Sequence, residues 1–118
     1  MRELVNNLVD KYNSRFDSDM ELQEKLGSIS RTIQIELDDG VFYCLRMEGG
    51  RIIKVMEEAI EEPDLRIITD RSTFEGIVEG TVKPLKAYAL HKIKFKGALK
   101  DRLLLKDILS KKKKKTEV

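Results

Sequence analysis

Tryptophan is absent from this 118-residue chain, histidine and cysteine occur once each, and proline occurs twice. A lone thiol, Cys44, forms no internal disulfide. That excludes a secreted disulfide scaffold and predicts a reducing, cytoplasmic setting. One His and one Cys cannot supply the four ligands of a structural zinc site, so no metal is expected on those groups. No apolar run approaches the roughly 18 residues that a membrane span needs. The first 30 residues carry Glu3, Asp10, Asp17, Asp19, Glu21 and Glu24 and no apolar h-region, which predicts no secretory leader.

What is present is a globular composition, 41% hydrophobic and 37% charged, and this excludes a disordered or collagen-like chain. The length suits one domain able to bury about two-thirds of its unfolded surface. The net charge of +2 conceals an uneven end. Without residues 111–118 the chain has 18 basic and 20 acidic side chains, a net of −2. The reading is a nearly neutral domain over 1–110 and a disordered basic tail over 111–118. Positive charge confined to a tail is not the footprint of a nucleic-acid-binding face, so no specific nucleic-acid partner is expected. Lys, Glu and Arg abound while Asn occurs three times and Gln twice, which leans toward a thermophilic source.

Periodicity divides the chain. Residues 2–14 place Leu4, Val5, Leu8, Val9 and Tyr12 on one helical stripe. Ser18-Asp19-Met20-Glu21 reads as a capping box opening a second helix that Gly27 stops. The period then changes to two. Ile33, Ile35 and Leu37 alternate with Thr32, Gln34 and Glu36, which predicts a strand with one wet face. Asp38-Asp39-Gly40 and Gly49-Gly50 are turns, so residues 29–56 form an antiparallel meander of three strands. In the third strand Ile53 and Val55 are expected to point inward. A fourth strand covers 65–69, Asp70 caps a helix over 71–79, and Gly80 ends it. Pro84 begins a short helix. Lys92-Ile93-Lys94-Phe95-Lys96 is a fifth strand, and residues 99–109 form a last helix. Segregated strands and helices predict an α+β fold, a five-stranded sheet covered on one face by helices.

Catalytic constellations are missing. His91 has no Ser or Cys at motif spacing and reads as a surface residue at a helix end. Glu57-Glu58 and Glu61-Glu62 lack the alternating oxygens and Gly of a calcium loop and read as solvated. Asp38-Asp39 serves turn chemistry. No phosphate-cradling Gly-rich loop follows a strand. An enzyme with its own chemistry is therefore not expected, and no cofactor is implied. Lys111, Lys112, Lys113, Lys114 and Lys115 are either a solubilising tail or a membrane-docking element attracted to anionic lipid.

Three segments, Thr69-Asp70-Arg71-Ser72-Thr73-Phe74, then Gly80 to Pro84-Leu85-Lys86-Ala87-Tyr88, then Lys92-Ile93-Lys94-Phe95-Lys96-Gly97, together resemble the sterol carrier protein 2 family. Arg31 to Leu37 with its Asp-Gly turn, and Pro63-Asp64, fit the same pattern. The resemblance covers about residues 2–109. It implies a hydrophobic tunnel between sheet and helices and non-catalytic binding and transfer of lipids, fatty acids, acyl-CoA, sterols or isoprenoids. It implies walls from Phe74, Ile77 and Val78, from Tyr88, Ala89 and Leu90, and from Leu99 and Leu103. Ile33, Ile35, Ile67, Ile93 and Phe95 would form the floor. The chain departs from the family pattern at His91, where Gly is common, at Leu90, where a polar residue is common, and over Ala98-Leu99-Lys100-Asp101-Arg102. A ligand-free scaffold or dimerisation domain for a partner enzyme is the alternative reading.

Overall fold

The computed structural model describes residues 2–109. Two helices come first, α1 (Arg2–Ser18) and α2 (Met20–Leu26), followed by the meander β1 (Arg31–Leu37), β2 (Phe42–Glu48) and β3 (Arg51–Met56). Then come β4 (Leu65–Thr69), α3 (Arg71–Glu79), α4 (Pro84–Ala89), β5 (Ile93–Gly97) and α5 (Leu99–Leu109). The expected order of elements holds throughout. The sheet runs β3-β2-β1-β4-β5, with β1 and β4 parallel and the other pairs antiparallel. Helices cover one face. α1 lies over the meander and buries Val5, Val9, Tyr12 and Phe16 against it. Tyr12 donates its hydroxyl hydrogen bond to the Gly50 carbonyl at 2.6 Å. Gly50 is in the left-handed region at φ 84°, and a Cβ there would stand 2.6 Å from the Phe16 ring, so the β2–β3 turn must be glycine for α1 to sit so close.

Local corrections have physical causes. Ser18 does not cap α2. It ends α1, its hydroxyl turned back to the Ser14 carbonyl, and Asp19 caps α2 by accepting from Leu22 N–H at 3.1 Å. In β3 the inward residue is Ile52, not Ile53. Arg46 pairs with Lys54 and Met47 with Ile52, so Ile53 is an extra bulged residue and is 53% exposed. Val55, opposite Leu45, keeps its inward side.

The supposedly wet face is not wet at its centre. Gln34, Glu36 and Cys44 are buried. Segment 57–64 returns across this face, and Ile60 N–H donates to Gln34 Oε1 at 2.7 Å. Gln34 Nε2 donates to Glu36 Oε2, and Arg66 grips both oxygens of Glu36 at 2.5 and 2.8 Å. Arg66 holds the Glu36 carboxyl below the usual carboxylate range, outweighing the effect of burial. Glu57, Glu58, Glu61 and Glu62 on the same segment are exposed, as expected.

α3 and α4 end in the same way. Gly80 N–H donates to Ile77 O and Thr81 N–H to Gly76 O; His91 N–H donates to Tyr88 O and Lys92 N–H to Ala87 O. Both are Schellman closures whose pivot must be left-handed. Gly80 supplies φ 88° freely, whereas His91 stands at φ 66° with a side chain.

Left-handed φ costs an ordinary residue about 1–2 kcal/mol, and glycine gives back about 0.5–1 kcal/mol in unfolded-state entropy. His91→Gly is expected to raise stability by roughly 0.5–1 kcal/mol, a few degrees in Tm by thermal denaturation. The Glu36 contribution is complete above the unfolded carboxylate pKa of about 4.3 and is lost as pH falls through the lower folded value. Glu36→Gln should cost roughly 1–2 kcal/mol at neutral pH and flatten the loss of stability below about pH 4.3, measured by urea titration across pH.

Candidate functional site

The inner face of the sheet offers the candidate site. Ile33, Ile35 and Leu37 of β1 align with Leu65, Ile67 and Thr69 of β4, and these with Gly97, Phe95 and Ile93 of β5. Their side chains share one face because strand residues alternate. Ile33, Ile35 and Ile93 are buried, while Ile67 and Phe95 are only partly covered. The difference follows the helices. α1 and α2 serve the meander, and α4 and α5 pack on β5. α3 packs against α1 and contributes buried Phe74 and Val78, with Ile77 partly buried at its edge. Of these inner-face side chains Ile67 and Phe95 are thus the least completely covered, and they mark the seam between the two groups of helices.

Tyr88 and Ala89 of α4, Leu90 just after it, and Leu99 and Leu103 of α5 are not enclosed. All five are exposed, Leu90 at 57%, Leu99 at 64% and Leu103 at 53%. The Tyr88 ring stacks on Phe95, centroids 4.7 Å apart and planes within 6°. The rotation of α5 has an identifiable cause. Asp101 is buried and accepts from Arg31 Nε at 2.9 Å. Leu105, one turn on, is completely buried. At the other end Arg15 donates to the Asp107 carbonyl and Lys25 pairs with its carboxylate at 3.7 Å. With Asp101 and Leu105 facing in, Leu99 and Leu103 must face out. Apolar residues all round this helix hid that choice from periodicity, and the signal was the one acid among them that has a basic strand residue to meet.

Sequence reasoning also missed a cleft of about 300 Å³ beside α4, where Lys83, Lys86 and Lys92 surround Val82, Ala87 and Leu90. No signal short of three-dimensional placement unites these lysines. His91 is exposed at the end of α4. Cys44 is buried, and burial pushes its thiol pKa up, away from nucleophilic use. Among the described residues no group of three or more His, Cys, Asp or Glu could hold a metal, and no helix is long and apolar enough to cross a membrane. Lys111, Lys112, Lys113, Lys114 and Lys115 lie outside the described residues, as does the expected disorder of the tail.

A family model described as the SCP-2 sterol transfer family matches residues 9–110. The chain belongs to that family. SCP-2 domains are, in general, lipid- and sterol-binding and non-catalytic. Among solved structures, a crystal structure of sterol carrier protein 2 is 16% identical, with TM-score 0.63 over 86% of this chain and 90% of that one. Palmitated SCP2L2 from Aedes aegypti is 13% identical, with TM-score 0.63, covering 89% and 93%. A ubiquinone synthesis protein, UbiJ-SCP2, is 10% identical, with TM-score 0.60, covering 89% and 84%. At such identities the likeness is one of fold. Among curated proteins no match is found. The SCP-2 resemblance read from the motifs at Asp70, Pro84 and 92–97 is thus borne out, and so is the α+β fold.

Two substitutions separate the observed rotation of α5 from the expected one. Asp101→Ala should cost about 1–3 kcal/mol, because it leaves the half-buried Arg31 without its partner. Leu103→Ser should change stability by less than about 0.5 kcal/mol. Chemical denaturation that returned the opposite ranking would place Leu103 inside.

Proposed function

We propose that this SCP-2 domain binds and carries an apolar molecule, of the acyl-chain, sterol or isoprenoid kind, between its sheet and its helices. The observation that carries the reading is the partial exposure of Ile67 and Phe95 on the helix-facing side of the sheet. These are apolar groups on an inner face whose cover is incomplete over β4 and β5. A ligand entering there would lie on Ile33, Ile35, Ile67, Ile93 and Phe95, against Phe74, Ile77 and Val78. Burial at about 0.8 kcal/mol per methylene gives a long chain useful affinity without polar contacts. Tyr88, Ala89, Leu90, Leu99 and Leu103 would act at the rim rather than as walls.

The role is carriage without chemistry, in a reducing cytoplasmic setting that suits a single buried thiol. The lysines of 111–115 would add attraction to anionic membrane surfaces, where lipid is collected or delivered. The competing reading, a ligand-free accessory domain, draws support from the near-complete burial of Ile33, Ile35, Phe74 and Val78.

Native mass spectrometry of the purified protein, with and without added palmitate, separates the two. A bound acyl chain is expected, and Ile67→Trp should weaken binding of a fluorescent fatty acid by at least about tenfold by filling the seam. An apo mass unchanged by palmitate, acyl-CoA and an isoprenoid would replace the carrier by the accessory domain.

A further inference from the structure

Charge is divided along this chain far more sharply than its total suggests. Residues 1–80 hold ten Lys and Arg against eighteen Asp and Glu, a net of −8, whereas residues 81–109 hold eight against two, a net of +6. The fold turns this division in sequence into one in space. β5 is an edge strand, and α4 and α5 both pack on it and on each other, so residues 81–109 gather at that edge, which forms a basic flank from which α5 reaches back toward α1 and α2. The acidic segment 57–64 leaves β3, the opposite edge strand, and crosses the outer face, not the helical side.

The basic flank is also where apolar side chains lie open. Among the described residues seven large hydrophobics are exposed, and five of them are Leu85, Tyr88, Leu90, Leu99 and Leu103. On α5, Leu99, Leu103 and Lys106 fall on one stripe, opposite buried Asp101 and Leu105. Just after α4, Leu90 lies in the cleft with Lys83, Lys86 and Lys92.

We propose that the α4–β5–α5 flank docks on the surface of an anionic lipid bilayer, its lysines meeting lipid phosphates and Leu90, Leu99 and Leu103 entering the interface. Each half of the surface needs the other: lysines attract over a Debye length, and leucines hold once there. The acidic remainder of the molecule turns away from the same membrane and orients the approach. α1 cannot serve instead, since Val5, Val9, Tyr12 and Phe16 are spent on the core. A second copy on the same flank would set net +6 against net +6 across a two-fold interface. Nucleic acid is the weaker fit. The flank is lysine and leucine with a single Arg, and its one exposed ring, Tyr88, is stacked on Phe95. The proposal stands with or without an internal ligand, and it assigns docking to the folded flank rather than to the tail alone.

The test is flotation of the full chain with vesicles of phosphatidylcholine alone or mixed equally with phosphatidylglycerol. Three variants are compared: Lys83→Glu/Lys86→Glu/Lys92→Glu, Leu99→Ser/Leu103→Ser, and Gln in place of all five tail lysines. All substituted flank residues are exposed, and a thermal melt checks each fold; Lys→Gln replaces Lys→Glu if the first variant is unfolded. The mixed vesicles are expected to bind the protein and the neutral ones not. The charge reversal should weaken binding at least about tenfold at low salt. The leucine variant should lose the binding that survives at physiological salt, and the tail variant should retain salt-sensitive binding. Flank variants that bind like the unaltered chain while the tail variant binds nothing would overturn the proposal. So would an unaltered chain that ignores both vesicles, variants that change only self-association, or variants that change only affinity for random-sequence nucleic acid.

Discussion

Parallel pairing of β1 with β4 at the centre of the sheet governs the rest of the fold. Hairpin turns can join antiparallel neighbours, but a parallel neighbour can be reached only by a chain that crosses a face of the sheet. After β3 the chain is at one edge and must come back past β2 and β1. The inner face is already occupied by α1. The return therefore runs across the outer face, as segment 57–64, and this placement imposes its own chemistry. Backbone groups laid over a sheet need partners, which Gln34 provides for Ile60. A carboxylate enclosed beside it needs a cation, which Arg66 provides for Glu36. The acidic remainder of the segment stays in water.

The inner face divides along the same line. α1 and α2 belong to the meander, α4 and α5 to β5, and α3 touches the first group through α1. Lys11 reinforces that contact by donating to the Val78 carbonyl at 2.8 Å, near the end of α3. In the second group α5 is held both by Leu105, buried in the core, and by polar clamps, Arg31 to Asp101 and Arg15 to the backbone of Asp107. The clamp on Asp101 and the burial of Leu105 fix the same inward stripe, which is how α5 turns two leucines to solvent. Under the reading proposed above, the two helices that roof β5 on one side are the ones presented to the membrane on the other.

Much of this was legible in the sequence because it is local. Asp70 four residues before the apolar stripe that Phe74 opens, Gly80 after it, Pro84 at a helix start and the strict alternation of 92–96 each depend on neighbours within a few positions. What escaped is long-range. Nothing near Gln34 and Glu36 announces that a segment some 25 residues later will cover them. The bulge at Ile53 is a choice between two adjacent isoleucines that only pairing with β2 decides. In α5 leucine or isoleucine occurs on every side, so the stripe that faces inward is chosen by the partner of Asp101. The family resemblance was legible from combined motifs, yet it directed Leu99 and Leu103 inward, where this chain's own ion pair does not allow them.

Cys44 gives the crossing segment a further meaning. The thiol is completely buried on the outer face, beneath a cover held by a short set of polar contacts rather than by the apolar core. A reagent reaches it on that side only past segment 57–64, which hydrogen bonds from Ile60 to Gln34 and between Thr32 and Asp64 hold against the sheet. The rate at which a thiol reagent reaches Cys44 is the measure of how firmly that cover is held.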